Sequence, residues 1–163
     1  DVISINSFSK YFGMTGWRLG WLVVPPAMIR DVEKLAQNLF ISPSAPAQHA
    51  ALAAFSPETT TILEARRAEF RVRRDLLLPG LRAIGFRVDA EPQGAFYIYA
   101  DIGALGEDSQ ALAGRLIEEA GVAATPGLDF GMNAPQRHMR FAYTVGTDKL
   151  AEGLARMRRL FDV

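Results

Sequence analysis

Near the start of the chain, two short segments are mainly apolar and show no regular polar spacing. They cover residues 2–8 and 19–24. Such runs, rich in branched side chains, are typical of strands covered on both faces in a parallel sheet. Pro25-Pro26 ends the second run, and apolar residues then recur at helical spacing as far as Leu39. The pattern predicts the tail of a parallel sheet, followed by a helix.

The central part of the chain is dominated by helix signals. Two prolines predict a loop at 41–46, and the alanine-rich segment 47–55 predicts a short, closely packed helix. Ser56-Pro57-Glu58 combines a cap, a first-turn proline and an acid, so it predicts a helix start. One face of that long helix repeats every seven residues, at Leu63, Phe70, Leu77 and Ile84. Pro79-Gly80 predicts a kink or break near its end, and Gly85 predicts its stop.

The remainder of the chain alternates between short strand patterns and helix patterns. Helices are predicted at 109–120 and from Thr147 onward, and strands at 86–90, 95–101, 122–125 and 139–145. We therefore predict an α/β fold in two parts. Residues 1–56 form the end of a larger domain, and residues 57–163, including the long helix, form a small C-terminal domain. Because the sequence starts inside a strand pattern, we expect it to be part of a longer chain.

Composition and net charge argue against several classes of binding partner. The 163 residues include 18 basic and 18 acidic side chains, so the net charge is zero. A neutral chain has no global electrostatic attraction to nucleic acid or to an anionic membrane. The chain contains no cysteine, which excludes disulfides and thiolate metal sites, and no apolar run approaches the ~20 residues of a membrane span. Without a leader pattern, these features predict a cytoplasmic protein.

A run of arginines on the long helix has two interpretations. It comprises Arg66, Arg67, Arg71, Arg73 and Arg74. Such a run could bind nucleic acid, but acidic side chains at helical spacing favour a solvated face held by ion pairs. The two histidines, His49 and His138, have no metal-ligand spacing. No metal site is predicted.

The most informative residues lie between the first two apolar runs. Lys10 directly follows a strand pattern, and Arg18 lies eight positions further on. An amine can attack a carbonyl carbon, although from the lysine alone a surface lysine at a strand end is the better interpretation. The hydroxyl of Ser7 and the planar fork of Arg18 suit a phosphate group. A lysine beside phosphate ligands is what an enzyme needs in order to hold pyridoxal phosphate.

The whole motif has a specific family resemblance. From Ser7 onward the chain reads Ser-Phe-Ser-Lys-x-Phe-x-x-Thr-Gly-Trp-Arg-Leu-Gly-Trp. This resembles the cofactor-lysine signature of the class I/II pyridoxal-phosphate-dependent aminotransferases of the aspartate aminotransferase type, fold type I. The resemblance implies that Lys10 forms the Schiff base with pyridoxal 5'-phosphate and moves the substrate's proton. It also implies that Ser7 and Arg18 bind the cofactor phosphate.

Two later motifs extend the resemblance. Residues 92–97, Pro-Gln-Gly-Ala-Phe-Tyr, look like the family's Pro-x-Gly-x-Phe-Tyr turn and strand, and residues 126–131 look like its Pro-Gly-x-x-Phe-Gly loop. Arg140 lies where the family has the arginine that clamps the substrate α-carboxylate. Without the resemblance, Arg140 could equally be a strand-edge arginine. Ser42 and Ser44 fall in a loop that, in the family, approaches the cofactor of the partner subunit.

The resemblance also implies an architecture and a reaction. The fold would be the end of a PLP-transferase-type large-domain sheet, joined by a long, kinked helix to a small α/β C-terminal domain. The activity would be transamination between an amino acid and a 2-oxo acid, in a homodimer. Alternatives are another fold-type-I enzyme, such as a lyase or decarboxylase, and the aminotransferase-like sensor domain of a transcription regulator. The family's acidic partner of the pyridine nitrogen is not found here, so we expect the fragment alone to be inactive.

Overall fold

The computed structural model describes residues 2–105 and 108–163 of a mixed α/β chain. The chain packs as two compact units, Asp1–Arg67 and Ala68–Val163. The boundary between these units falls inside a long helix. The division into domains at residues 56 and 57 stays a prediction.

The first unit begins with two paired strands, β1 (Ser4–Ser7) and β2 (Gly20–Val23). They are antiparallel, with Ser4 opposite Val23 and Ser7 opposite Gly20. The expectation of a parallel arrangement is therefore wrong for this pair. An apolar run does not specify the direction of a strand, and the loop at 8–19 holds only a short 3-10 turn before the chain folds back. The expected cover on both faces is also not present within this chain, since all four residues of β2 and three of the four in β1 are exposed.

Two helices follow in this unit, α1 (Ile29–Leu39) and α2 (Ala45–Ala53). The predicted loop at 41–46 is too long by two residues, because α2 starts at Ala45. Pro46 is tolerated in the first turn, where its missing N–H has no helical partner in any case. No residue of α1 is buried, so its apolar stripe stays exposed within this chain. A small core forms instead from Phe8, Met14, Ala51 and Ala54.

The long helix α3 (Pro57–Ile84) starts where the sequence predicts it. The hydroxyl of Ser56 accepts the Thr59 backbone N–H at 3.2 Å, which caps the first turn. Of the two outcomes predicted at Pro79, the break does not occur, because α3 continues to Ile84, while the kink stays a prediction. Pro79 has no N–H to donate, so the helix loses one backbone hydrogen bond. Burial of the neighbouring Leu78 and Leu81 offsets that cost. The helix ends before Gly85, whose φ of +113° continues no helix.

The second unit is built on a three-stranded antiparallel sheet. Its strands are β3 (Tyr97–Asp101), β4 (Thr125–Pro126) and β5 (His138–Ala142), and β5 lies in the middle. Two further helices complete it, α4 (Ser109–Ala120) and α5 (Thr147–Leu160). The predicted strand at 86–90 is wrong: it is reduced to one bridge, between Arg87 and Asp101.

The two faces of this sheet differ in character. Period-2 alternation sends one set of side chains into the core, namely Ile98, Ala100, Met139 and Phe141. Helices α4 and α5 add buried leucines to the same core. The other face carries polar and aromatic side chains, including Tyr97, Tyr99 and Arg140. The candidate chemistry of this unit therefore lies on the face that is not packed into the core.

A buried carboxylate lies at the end of the edge strand β3. Asp101 is 5% exposed. Its oxygens accept hydrogen bonds from Arg137 Nε at 2.9 Å, from Arg87 Nη2 at 2.6 Å and from the Gly103 N–H at 2.7 Å. Burial alone would raise the pKa of Asp101, but these hydrogen bonds and the two positive charges bring it below its usual value. The charged carboxylate therefore stabilises the fold.

We expect Asp101→Asn to lower the free energy of unfolding by about 2 kcal/mol at neutral pH, because both guanidinium groups lose their charged acceptor while remaining partly hydrated. A carboxyl with a depressed folded-state pKa stabilises above its unfolded pKa of about 4 and loses that effect as pH falls. The difference between the two proteins should therefore shrink in acid. Urea unfolding at several pH values measures it. Asp89→Asn, which removes an exposed partner of Arg87, is the matched control and should cost less than about 0.5 kcal/mol.

Candidate active site

The strand pair β1–β2 carries the lysine loop at one end. The Phe8 N–H donates to the Leu19 carbonyl at 3.1 Å and extends the ladder by one step. Ser7 and Arg18 are thereby held at the base of the same loop that contains Lys10. Only glycine fits opposite Ser7, because a Cβ on Gly20 would lie 2.5 Å from the Asn6 carbonyl oxygen. The ladder thus places Ser7 and Arg18 near the two ends of the loop that contains Lys10.

Lys10 opens a tight, hydrogen-bonded turn. Its carbonyl accepts the Gly13 N–H at 3.0 Å, which places Tyr11 and Phe12 at the corner. Gly13 has a φ of +66°, a conformation that other residues adopt at a cost. The Thr15 hydroxyl donates to the Ser9 carbonyl at 2.7 Å and ties the far side of the loop to the residue before Lys10. The side chain of Lys10 is exposed.

The two predicted phosphate ligands already have local roles in the loop. The Ser7 hydroxyl oxygen accepts the Ser9 N–H at 3.1 Å, and its own hydrogen can still be donated to an anion. Arg18 has a left-handed φ of +51°, and its Nη1 donates to the Thr15 carbonyl at 3.0 Å. Among the residues the structure describes, its guanidinium makes no other hydrogen bond. Both groups therefore keep donors for a phosphate.

A cavity of about 600 Å³ adjoins Arg18. Its wall also includes the hydroxyl residues Ser42 and Ser44, beside the start of α2. One cation and two hydroxyls around an open space suit an anion such as a phosphate group. Ser7 and Lys10 do not line this cavity, so it does not join the predicted cofactor residues. For Ser42 and Ser44, a place near the cofactor of the partner subunit stays a prediction.

Arg140 lies in the second unit, on the middle strand of the sheet. It is paired with Tyr99 on one side and with Thr125 on the other, so the strand-edge interpretation is wrong. Its guanidinium carbon is 4.5 Å from the ring centre of Phe130 and 5.5 Å from that of Tyr97. Such cation–π contacts hold the charge in place without neutralising it.

The polar contacts of Arg140 are incomplete. Nη2 donates to the Thr125 hydroxyl at 3.4 Å, which is long. The Nε atom is buried and has no hydrogen-bond partner among the described residues. No carboxylate in the described part of the chain forms an ion pair with it. A half-buried guanidinium with an unpaired donor is suited to binding an external carboxylate.

The sequence does not reveal which groups surround Arg140. Tyr97 and Phe130 belong to the motifs at 92–97 and 126–131, but nothing in those motifs indicates that both rings pack on the guanidinium. Nearby, Tyr99 stacks on His138 with ring centres 5.0 Å apart, and burial raises the pKa of Tyr99. His138 is held by a hydrogen bond between its Nδ1 and the Ala134 carbonyl at 2.9 Å. This agrees with a structural histidine.

Ser7, Lys10 and Arg18 belong to the first unit, and Arg140 belongs to the second.

Across residues 2–105 and 108–163, no group of three or more His, Cys, Asp or Glu side chains is placed to hold a metal ion. In the same part of the chain, no helix is both long and apolar enough to cross a membrane.

Comparison with known proteins covers almost the whole chain. The family described as Aminotransferase class I and II matches residues 1–157. The valine–pyruvate aminotransferase of Mycobacterium tuberculosis is 41% identical over 157 residues, which cover 96% of this chain and 40% of that protein. The (5-formylfuran-3-yl)methyl phosphate transaminase of Methanocaldococcus jannaschii is 38% identical over 160 residues, covering 98% and 42%. The chain thus spans about two fifths of the length of these relatives.

Solved structures agree with the sequence comparison. An aminotransferase from Mycobacterium tuberculosis superimposes with a TM-score of 0.92 at 40% identity, over 98% of this chain and 41% of that one. An aromatic aminotransferase from Pyrococcus horikoshii gives a TM-score of 0.90 at 34% identity, over 98% and 43%. The predicted fold class is confirmed by these matches. The chain belongs to the class I and II aminotransferases.

Proposed function

We propose that the protein carrying this chain is a pyridoxal-phosphate-dependent enzyme that moves an amino group between an amino acid and a 2-oxo acid. The observation that carries the proposal is Lys10 on an ordered turn, with phosphate donors at the base of the same loop. Family membership supports it, because the relatives are named as aminotransferases, including one for valine and pyruvate and one for aspartate and prephenate.

The residues of the lysine loop have separate tasks. The Lys10 amine would hold the cofactor covalently and would carry a proton to and from the substrate α-carbon. Ser7 and Arg18 would donate hydrogen bonds to the phosphate and keep the cofactor in place. Pyridoxal phosphate, when bound, supplies a ring that withdraws electrons from the substrate α-carbon.

Arg140 binds the substrate α-carboxylate. Its two Nη groups, of which Nη2 has only the long contact to Thr125, offer the parallel donors that hold a carboxylate in one orientation. The aromatic rings of Phe130 and Tyr97 restrict the rotation of the Arg140 guanidinium group. Fixing the carboxylate fixes the direction of the Cα–H bond, which decides whether a base can reach that proton.

The remaining expectations complete the proposal. Residues 1–56 belong to the large cofactor-binding domain, and residues 57–163 form the small domain with its connecting helix. The full protein acts as a homodimer in the cytoplasm. The residues that bind the pyridine ring lie in other parts of the protein. Neither nucleic acid nor a membrane is a partner, in keeping with the zero net charge.

An assay with the full-length protein tests this function. With bound pyridoxal phosphate, an amino acid should convert the cofactor to its amine form, and a 2-oxo acid should convert it back, both seen by absorbance. A lyase or decarboxylase would not return the cofactor by the second step, and that result would contradict transamination. The 163-residue chain alone should show little or no turnover under the same conditions. Robust turnover by it would contradict the assignment of the ring-binding residues to other parts of the protein.

A further inference from the structure

The turn that begins at Lys10 is held from outside the loop. Its corner residue Tyr11 donates its phenol hydrogen to Glu64 Oε1 at 2.6 Å. Glu64 lies on α3 and is 53 residues away in sequence. Both residues belong to the same compact unit, Asp1–Arg67. The contact therefore joins the segment next to the reactive lysine to the first turns of the long helix.

Glu64 is itself fixed by a second partner. Its other oxygen, Oε2, accepts from Arg67 Nε at 2.8 Å. The hydrogen bonds from Arg67 and Tyr11 lower the pKa of Glu64 below its usual value, and the hydrogen bond to Glu64 raises the pKa of Tyr11. An isolated exposed ion pair between residues i and i+3 contributes little. Here the pair orients a carboxylate whose other oxygen faces the lysine loop.

Further contacts attach the same turn to helices. The ring of Phe12, the second corner residue, lies 5.4 Å from that of Phe55, just beyond α2. On the other side, the Arg66 guanidinium lies against Gly13, with Nη1 3.4 Å from the position of a Cβ. Helix α3 thus contacts the turn at both its corner and its end, through neighbouring side chains.

We propose that Tyr11 and Glu64 are positioning residues for Lys10. The phenol–carboxylate bond holds the corner of the turn on α3, so that the Lys10 amine keeps one direction when it is not attached to the cofactor. This inference rests on the proposed role of Lys10 as the attachment point. The effect is on the rate at which the free Lys10 amine condenses with the cofactor aldehyde, a step that forms a C=N bond and releases the aldehyde oxygen as water. The strength of phosphate binding should not change, because no hydrogen bond or ion pair joins Tyr11 or Glu64 to Ser7 or Arg18.

Tyr11→Phe tests the hydrogen bond most directly, because it removes only the hydroxyl. The ring is kept, and its centre lies 5.0 Å from that of Phe12 in an edge-on contact. The full-length protein, freed of cofactor, is mixed with pyridoxal phosphate and reduced with borohydride at set times. Peptide mass spectrometry then gives the rate at which Lys10 becomes labelled. We expect a rate about fivefold slower than in the unchanged protein, as for the net loss of one exposed hydrogen bond.

Matched variants separate this bond from a general effect on the helix. Glu64→Ala should slow labelling as much as Tyr11→Phe, and the double variant should be no slower than either single one. Glu64→Gln retains an acceptor and should recover most of the rate. Glu69→Ala removes a carboxylate from the Arg73 pair five residues further along the same helix and should leave the rate unchanged.

Equal labelling rates for Tyr11→Phe and the unchanged protein would overturn the inference while leaving the proposed function intact. Equal slowing by Glu69→Ala would overturn it too, because the effect would then belong to the helix and not to the tether. If Lys10 of the unchanged protein takes up no label, the proposed function fails, and the inference fails with it.

Discussion

Replacing Lys10 with alanine should reduce amino transfer by a factor on the order of 10³ or more. The variant loses both the covalent attachment and the group that moves the substrate proton, and a positioned acid–base group alone is worth about 10² to 10⁴. Lys10→Arg should be equally inactive, because it keeps the charge but offers no free amine. Steady-state turnover of an amino acid and a 2-oxo acid by the full-length protein measures the effect.

The phosphate ligands provide the internal check on this result. Because Ser7 and Arg18 remain in the Lys10 variants, pyridoxal phosphate should still bind, although without covalent attachment. Lys34→Ala is the matched control, since Lys34 is exposed and its ammonium pairs with Asp31 on the surface of α1. It should leave turnover unchanged. Retention of more than about a tenth of the turnover by Lys10→Ala would contradict the role of Lys10.

The second large effect is expected at Arg140. Arg140→Lys should lower kcat/KM for α-amino acids about 100-fold or more, because a point charge cannot make the two parallel hydrogen bonds of a guanidinium. Each charge-assisted hydrogen bond is worth about 1.5 to 3 kcal/mol, and 1.4 kcal/mol corresponds to a factor of ten. Assays across a series of amino acids give the kcat and KM values.

A substrate comparison identifies the group that Arg140 binds. For an amine that lacks the α-carboxylate, the variant and the unchanged protein should differ by less than about threefold, since the missing contact has no partner in either case. Arg71→Lys, on the exposed face of α3, is the matched control and should have no effect on either substrate. An equal loss for both kinds of substrate would show that Arg140 acts on the fold and not on the carboxylate.

Local signals in the sequence located most elements correctly. Ser56-Pro57 marks the start of α3, and Gly121 follows the last residue of α4. Such signals succeed because capping and left-handed residues act within one turn of the backbone. The arginine run is paired as predicted, since Arg67 and Arg73 both form ion pairs with glutamates on α3. It is solvated only in part, because the side chains of Arg73 and Arg74 are 14% and 17% exposed.

The errors concern features that depend on distant parts of the chain. An apolar run did not reveal that β1 and β2 are antiparallel, because direction is set by the loop and not by the strand. Pro79 does not end α3, because tertiary packing of its neighbours outweighs the lost hydrogen bond. The strand predicted at 86–90 keeps a single bridge, since β3 pairs mainly with β5.

The sequence by itself singled out the residues of the proposed chemistry: Lys10 between two apolar segments, Ser7 and Arg18 beside it, and Arg140 through its resemblance to the family pattern. A motif can be recognised from the sequence because it consists of residue types at short, fixed spacing, which is a local property. Only the tertiary structure decided how the residues are supported. The hydrogen bond from Tyr11 to Glu64 and the aromatic rings around Arg140 join residues far apart in sequence or on different strands. No local pattern encodes such contacts, because they exist only once helices and strands have packed.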